Sequence, residues 1–188
     1  MLSSLKDRAA KLLEPITDVL ARIGVKPNHL TILGLVFGFL CAYFIYLGNF
    51  TISAIFLILS ALMDVLDGAL ARNKRLMTEF GGVLDSVLDR YVDIAIFFAL
   101  GFQVGWTLAV FAMSGALMVS YTRARAEKVI LRCDVGIAER GERLTLILIG
   151  LIFPSVLNLI VLIVGILSHL TSVHRVLYTY RECKRKKI

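Results

Sequence analysis

The sequence is poor in residues that break or staple a chain. Three prolines and fourteen glycines in 188 residues exclude a collagen-like or proline-rich disordered protein. Three cysteines, Cys41, Cys133 and Cys183, lie far apart with no C-x-x-C pair, which excludes a zinc ribbon and a disulfide framework. Charge is scarce too. Charged residues make up 19% of the chain and hydrophobic ones 58%, whereas a soluble domain is about a quarter charged.

The scarcity is concentrated. No Lys, Arg, Asp or Glu occurs between Lys26 and Asp64, between Asp93 and Arg123, or between Arg143 and Arg175. Each gap exceeds the roughly 20 apolar residues that cross the bilayer hydrocarbon once. Each also holds a turn signal near its middle: Gly48-Asn49, the stretch from Gly101 to Gly105, and Pro154-Ser155. Read as hairpins, the gaps predict six spans at 29–48, 51–72, 81–101, 106–126, 140–153 and 156–178. Three long tilted spans would alternate basic segments between the two membrane faces, against the positive-inside tendency. Six spans keep every Lys and Arg cytoplasmic and place Tyr46, Phe50 and Trp106 near the outer interface.

The first 26 residues have no uninterrupted apolar core of the kind a signal peptide carries. Leu5, Ala9, Leu12, Ile16, Val19 and Ile23 recur at helical spacing, with Lys6, Asp7, Arg8, Lys11, Glu14, Asp18 and Arg22 elsewhere on the helix. This pattern predicts an amphipathic helix lying along the cytoplasmic interface. The expected protein is therefore an all-α integral membrane protein, a single domain over 1–188. It has an interfacial helix (1–26), a six-helix bundle (27–180) and a basic tail (181–188) that rests on anionic headgroups. Nothing besides that tail points to nucleic acid. Both termini are expected in the cytoplasm, on a multi-pass protein of the cell membrane.

Against this apolar background, charge inside a span stands out as functional. The second span ends in Asp64, Asp67, Gly68, Ala71 and Arg72, and the third opens with Gly81, Asp85 and Asp89. Offsets of three, four and seven put Asp64, Asp67, Gly68 and Ala71 on one helical stripe, and four-residue steps stack Gly81, Asp85 and Asp89. A short basic link makes the two helices antiparallel, so four carboxylates are expected at one depth near the cytoplasmic face. Such a cluster calls for a hard cation, Mg²⁺ or Mn²⁺, and both commonly share their coordination with phosphates. Gly68 and Ala71 keep the stripe low, and Arg72 offers a planar donor for a phosphate. A cation or proton transporter is the competing class, but the outer halves of the helices offer it no charged path.

Asp64-x-x-Asp67-Gly68-x-x-Ala71-Arg72, eight residues, then Gly81-x-x-x-Asp85-x-x-x-Asp89 resembles the complete signature of the CDP-alcohol phosphatidyltransferases. The resemblance implies a metal-dependent reaction of a CDP-lipid with an alcohol, releasing CMP. It also implies that Asp64, Asp67, Asp85 and Asp89 hold one or two divalent ions, and that Asp89 is the base for the attacking hydroxyl. For the CDP-lipid, the resemblance implies contacts from Asn28, Thr31, Gly68, Ala71, Arg72, Thr78 and Gly81. Asn28 and Thr31 have a second reading as caps of the first span. The segments around Tyr121–Glu127 and Gly136–Leu144 are similar to the branch that makes phosphatidylinositol phosphate or its archaeal ether-lipid counterpart. That similarity implies inositol 1-phosphate as acceptor, with Arg123, Arg125, Arg143 and Arg175 around its phosphate. It also implies CDP-diacylglycerol or CDP-archaeol as donor, and a homodimer among membrane lipids. A glycerol-3-phosphate acceptor is the alternative within the family. These arginines also have a plain reading as topology signals and salt-bridge partners.

Overall fold

The computed structural model describes residues 13–185. Its secondary structure is helical throughout: α1 (Glu14–Arg22), α2 (Pro27–Tyr46), α3 (Phe50–Asn73), α4 (Glu79–Val104), α5 (Trp106–Ala126), α6 (Arg140–Ile152) and α7 (Leu157–Arg185). A 3₁₀ turn, Pro154–Val156, separates α6 from α7. Each expected turn is where a chain reversal occurs. Gly48 takes a φ of +73°, and the Asn49 side chain accepts from Ile52 N at 3.2 Å to start α3. Gly105, at φ +91°, is the whole break between α4 and α5, so α4 runs three residues past its expected end. The last helix continues to Arg185 instead of stopping near residue 178. Of the basic tail, Lys184 and Arg185 are thus helical, while Lys186 and Lys187 lie outside the described residues.

The helices pack as α2 against α3 and α4, α4 against α5, α5 and α6 against α7, and α6 against α3. Their shared core includes Cys41, Leu57, Phe97, Ile147 and Val161. In lipid, helices gain little from hydrophobicity alone, so close backbone approach through small residues matters more. Gly34 and Gly38 act in that way inside this chain. Ser60 Oγ donates to the Gly34 carbonyl at 2.9 Å, and a Cβ at Gly38 would lie 2.6 Å from both γ-carbons of Val92. Gly115 and Gly165 bring α5 and α7 together similarly. The outside of the bundle is as apolar as its inside, with Phe39, Tyr43, Phe98, Leu159 and Leu170 all exposed, a surface suited to lipid.

Three helical segments are long and apolar enough to cross a membrane: Pro27–Tyr46, Phe50–Asn73 and Pro154–Arg185. The other three expected spans differ for visible reasons. α4 carries Asp85, Asp89, Arg90 and Asp93, and α5 ends in Arg123 and Arg125. α6 has only 13 residues, about 20 Å of helix.

Within α1, Ile16, Val19 and Ile23 are exposed on one face. Leu5, Ala9 and Leu12 of that expected stripe lie outside the described residues. The opposite face is docked on the protein: Leu13, Leu20 and Ala21 pack against Leu30, Leu66 and Leu70. Asn73 Nδ2 donates to the buried Thr17 Oγ1 at 3.0 Å, and Lys74 pairs with Asp18 at 2.5 Å.

Gly38→Leu is expected to lower the midpoint of thermal unfolding in detergent, by overpacking worth about 1–3 kcal/mol. Gly82→Ala, where a Cβ meets nothing within 4 Å, is expected to leave that midpoint unchanged or slightly higher.

Candidate functional site

The acidic site stands where the C-terminal end of α3 meets the N-terminal end of α4. Thr78 caps α4 by accepting from Gly81 N at 3.0 Å, so the helix starts early enough to carry Asp85 and Asp89 inward. Carboxylate oxygens of Asp64, Asp67 and Asp85 lie within 4.8 Å of one another. Asp85 Oδ1 is buried with no hydrogen-bond partner. Three converging carboxylates and an orphaned oxygen are a donor set that fits a hard divalent cation.

The fourth aspartate is held differently. Asp89 Oδ1 forms an ion pair with Arg140 Nη1 at 2.8 Å, and the same nitrogen lies 3.2 Å from Asp64 Oδ2. Asp89 Oδ2 is 3.7 Å from Arg90 Nη1. Arg90 in turn donates to Ser86 O and Ser120 Oγ. The expected single cluster of four is therefore a triad plus one carboxylate paired to arginine. Arg140, the first residue of α6, carries a role that sequence spacing alone does not assign. The signal for it was its place in Glu139-Arg140-Gly141-Glu142-Arg143, where several arginines compete for notice. Asp93 was missed as well. It lies four residues past Asp89, is 3% exposed, and receives Arg143 Nη2 on Oδ2 at 2.9 Å. Five aspartates (64, 67, 85, 89 and 93) face three arginines (90, 140 and 143) here. The carboxylates here outnumber the arginines that pair with them.

Around the triad, the expected nucleotide residues come together. Thr31 does not cap α2; its Oγ1 donates to Asp67 Oδ2 at 2.7 Å and to Pro27 O at 3.1 Å. Asn28 likewise makes no cap; at the start of α2 it is His29 Nδ1 that accepts from Lys26 N, at 3.4 Å. Asn28 Oδ1 lies 3.4 Å from where a Cβ on Gly81 would stand, and Thr78 Oγ1 lies 2.8 Å from that point. Gly81 is thus the one residue type that fits between them. Arg72 is exposed and folds back over Gly68, its Nη1 3.2 Å from a would-be Cβ. Ala71 is half-buried beside it. Next to Asp64 and Arg140, a cavity of about 260 Å³ opens between α3 and α6, lined by Leu57, Ile58, Val65, Leu144 and Leu148.

The four expected acceptor arginines do not form one group. Arg123 pairs with Glu127, Asp134 and Glu139 at 3.0, 2.9 and 3.6 Å. Arg175 is 2% exposed and shares Glu139 at 3.2 Å; it also donates to Val135 O and Val119 O. Arg143, equally buried, commits its two terminal nitrogens to Ala138 O and Asp93. Arg125 is exposed and makes no ion pair among the described residues. Arg123 and Arg175 therefore meet at Glu139, whereas Arg143 belongs to the acidic site.

Residues 25–177 match the family model for CDP-alcohol phosphatidyltransferase. The archaetidylinositol phosphate synthase of Pyrococcus horikoshii is 42% identical over 94% of this chain and 95% of that protein. The phosphatidylinositol phosphate synthase of Mycobacteroides abscessus is 37% identical over 80% of this chain and 72% of its own. Among solved structures, the phosphatidylinositol phosphate synthase of Mycobacterium tuberculosis with CDP-DAG bound superposes with a TM-score of 0.82 at 30% identity. That match covers 90% of this chain and 94% of the other. The same enzyme in complex with manganese and citrate gives a TM-score of 0.81 at 31% identity, over 88% of each chain.

Asp85→Asn tests the triad. Without metal, removing one of three mutually repelling carboxylates is expected to leave the unfolding midpoint equal to or above wild type. The stabilisation given by added Mn²⁺, set by RT ln(1 + [L]/Kd), is expected to shrink as Kd rises about tenfold, in line with roughly 1.4 kcal/mol of lost binding. Thermal scans with and without Mn²⁺ check both signs.

Proposed function

The chain belongs to the CDP-alcohol phosphatidyltransferase family, and on that basis we propose that it moves a lipid phosphate from a CDP-lipid to inositol 1-phosphate and releases CMP. That it is a CDP-alcohol phosphotransferase of the phosphatidylinositol phosphate synthase type, acting in phospholipid biosynthesis, follows from its relatives. The substrates are our reading. The observation that carries it is the convergence of Asp64, Asp67 and Asp85 within 4.8 Å, beside the low floor of Gly68 and Ala71 and the guanidinium of Arg72.

Asp64, Asp67 and Asp85 hold Mg²⁺ or Mn²⁺ in this reading, with Asp89 at the edge of the site. A divalent cation there supplies positive charge to a pyrophosphate. The chain's own groups do the rest. Asn28, Thr31, Thr78 and Gly81 line the approach of the cytidine diphosphate, with Gly81 leaving room for it. Arg72 meets a phosphate oxygen across Gly68. Asp89 takes the proton of the acceptor hydroxyl on its carboxylate, which stands at the edge of the triad. The acceptor oxygen forms a bond to the lipid-bearing phosphorus as the pyrophosphate bond breaks, and CMP departs with the electron pair.

Arg123 and Arg175, already gathered around one carboxylate, take the acceptor's phosphate, with the exposed Arg125 at its entrance. Arg143 supports them by fixing the start of α6. The lipid chains, diacylglycerol or archaeol, lie along the apolar outer surface. In the membrane, α2, α3 and α7 are joined by α4, α5 and α6 as six passes, with the acidic site and both termini on the cytoplasmic side. The Ile16–Val19–Ile23 face of α1 rests on the interface, and two chains form a homodimer. The whole chain works as a single domain.

The test is CMP release by purified protein given Mg²⁺ or Mn²⁺, a CDP-lipid and, in turn, inositol 1-phosphate, free inositol, glycerol 3-phosphate and serine. Release with inositol 1-phosphate alone is expected; release only with glycerol 3-phosphate would overturn the acceptor assignment. Asp89→Asn is expected to cut turnover at least about a hundredfold, the scale of a lost general base. Its CDP-lipid affinity should stay close to wild type, as measured by equilibrium binding.

A further inference from the structure

Arg140 grips two of the motif aspartates without being part of the motif. Its Nη1 sits between Asp89 Oδ1 at 2.8 Å and Asp64 Oδ2 at 3.2 Å, so it joins α3 to α4 from the end of α6. These carboxylates also face the triad where a divalent cation fits. A guanidinium between these two carboxylates places its positive charge where a divalent cation would draw on them, so the two cations compete for the same negative charge.

The other side of the guanidinium is incomplete. Arg140 Nε is buried and makes no hydrogen bond. It faces Asp93 Oδ1 across 3.6 Å, beyond hydrogen-bond range. Asp93 itself is fixed, because its Oδ2 accepts from Arg143 Nη2 at 2.9 Å and Arg143 is anchored on Ala138 O. A movement of about 0.7 Å would bring Arg140 into a full hydrogen bond with Asp93. The neighbouring Arg90 also has a buried Nε without a hydrogen bond, but no second carboxylate lies within ion-pair distance of it among the described residues, and its terminal nitrogens are tied to Ser86 O and Ser120 Oγ.

We propose that Arg140 is a built-in counter-cation that competes with a divalent metal for Asp64 and Asp89, and that Asp93 is the positioning residue that receives it when the metal binds. This rests on the reading of the aspartate cluster as a metal site, and it explains two features together. A buried Nε without a partner is costly, yet it becomes satisfied once the guanidinium turns toward Asp93. A deeply buried Asp93 is likewise costly in an apolar bundle unless both its oxygens meet positive charge.

Mn²⁺ binding to the purified full chain in detergent, followed by the electron paramagnetic resonance signal of free Mn²⁺, tests this without substrate. Arg90→Gln sets the baseline for removing one positive charge near Asp89. Arg140→Gln is expected to tighten Mn²⁺ binding at least fivefold beyond that baseline. Asp93→Asn is expected to weaken it threefold or more, since Arg140 then stays on Asp64 and Asp89. An Arg140→Gln effect no larger than that of Arg90→Gln, or unchanged or tighter binding in Asp93→Asn, would overturn the proposal. If Asp93→Asn fails to fold, Arg140→Gln decides by its excess over the Arg90→Gln baseline; if Arg140→Gln fails to fold, Asp93→Asn decides by whether Mn²⁺ binding weakens. Wild-type CMP release is measured alongside: its failure with inositol 1-phosphate counts against the acceptor assignment, while the Mn²⁺ shifts still decide the competition.

Discussion

Carboxylates gathered inside an apolar helix bundle repel one another, and in a low dielectric that repulsion is severe unless positive charge is supplied. The architecture near the acidic site can be understood as a response to this constraint. Arg140 and Arg143 arrive from α6, three residues apart on one helical face, and divide the deeper aspartates between them. Arg90 adds a third charge from within α4. These three arginines are fewer than the five aspartates, and Asp64, Asp67 and Asp85 converge without a cation of their own among the described residues, an arrangement that fits a hard divalent ion.

The same demand governs how the helices meet. α6 is short, at 13 residues, and its first residues are pinned to α3 and α4 by ion pairs while its remaining length packs on α7. Elsewhere the packing relies on small residues. Gly38 lets Val92 close on α2, one turn beyond Leu88 and Asp89, so tight apolar packing lies directly beneath the acids and holds their spacing. α1 closes the bundle at the C-terminal end of α3 through Thr17 and Asp18, next to Arg72. The residues around the acidic triad therefore stand on a frame fixed from three directions.

A second group of charges, on α5, α7 and the connecting loop, follows a different logic. Arg123 and Arg175 share Glu139, while Glu127 and Asp134 hold Arg123 from the other side. Arg132 also pairs with Asp134, so the loop is drawn down on the helix ends by ion pairs. A polyanionic acceptor entering there would exchange one set of carboxylate contacts for phosphate contacts. That exchange suits binding that has to be reversible.

Helix positions and turns were legible in the sequence because they depend on local chemistry: charge-free runs, Gly48-Asn49, Gly105 and Pro154 act within a few residues of themselves. That Asp64, Asp67 and Asp85 converge followed from helical periodicity and a short link, but α3 and α4 are held together by α2, which packs on both, and Asp89 stands apart on Arg140. The docked face of α1, by contrast, required its neighbours: Leu20 and Thr17 look like polar-side residues until Leu66 and Asn73 stand against them. Which arginine answers which aspartate was also beyond the sequence. Arg140 and Arg143 read alike in the chain, and only the crossing of α6 over α3 and α4 sends one to Asp89 and the other to Asp93. An ion pair between residues some fifty positions apart depends on how helices cross, and no local pattern encodes that crossing.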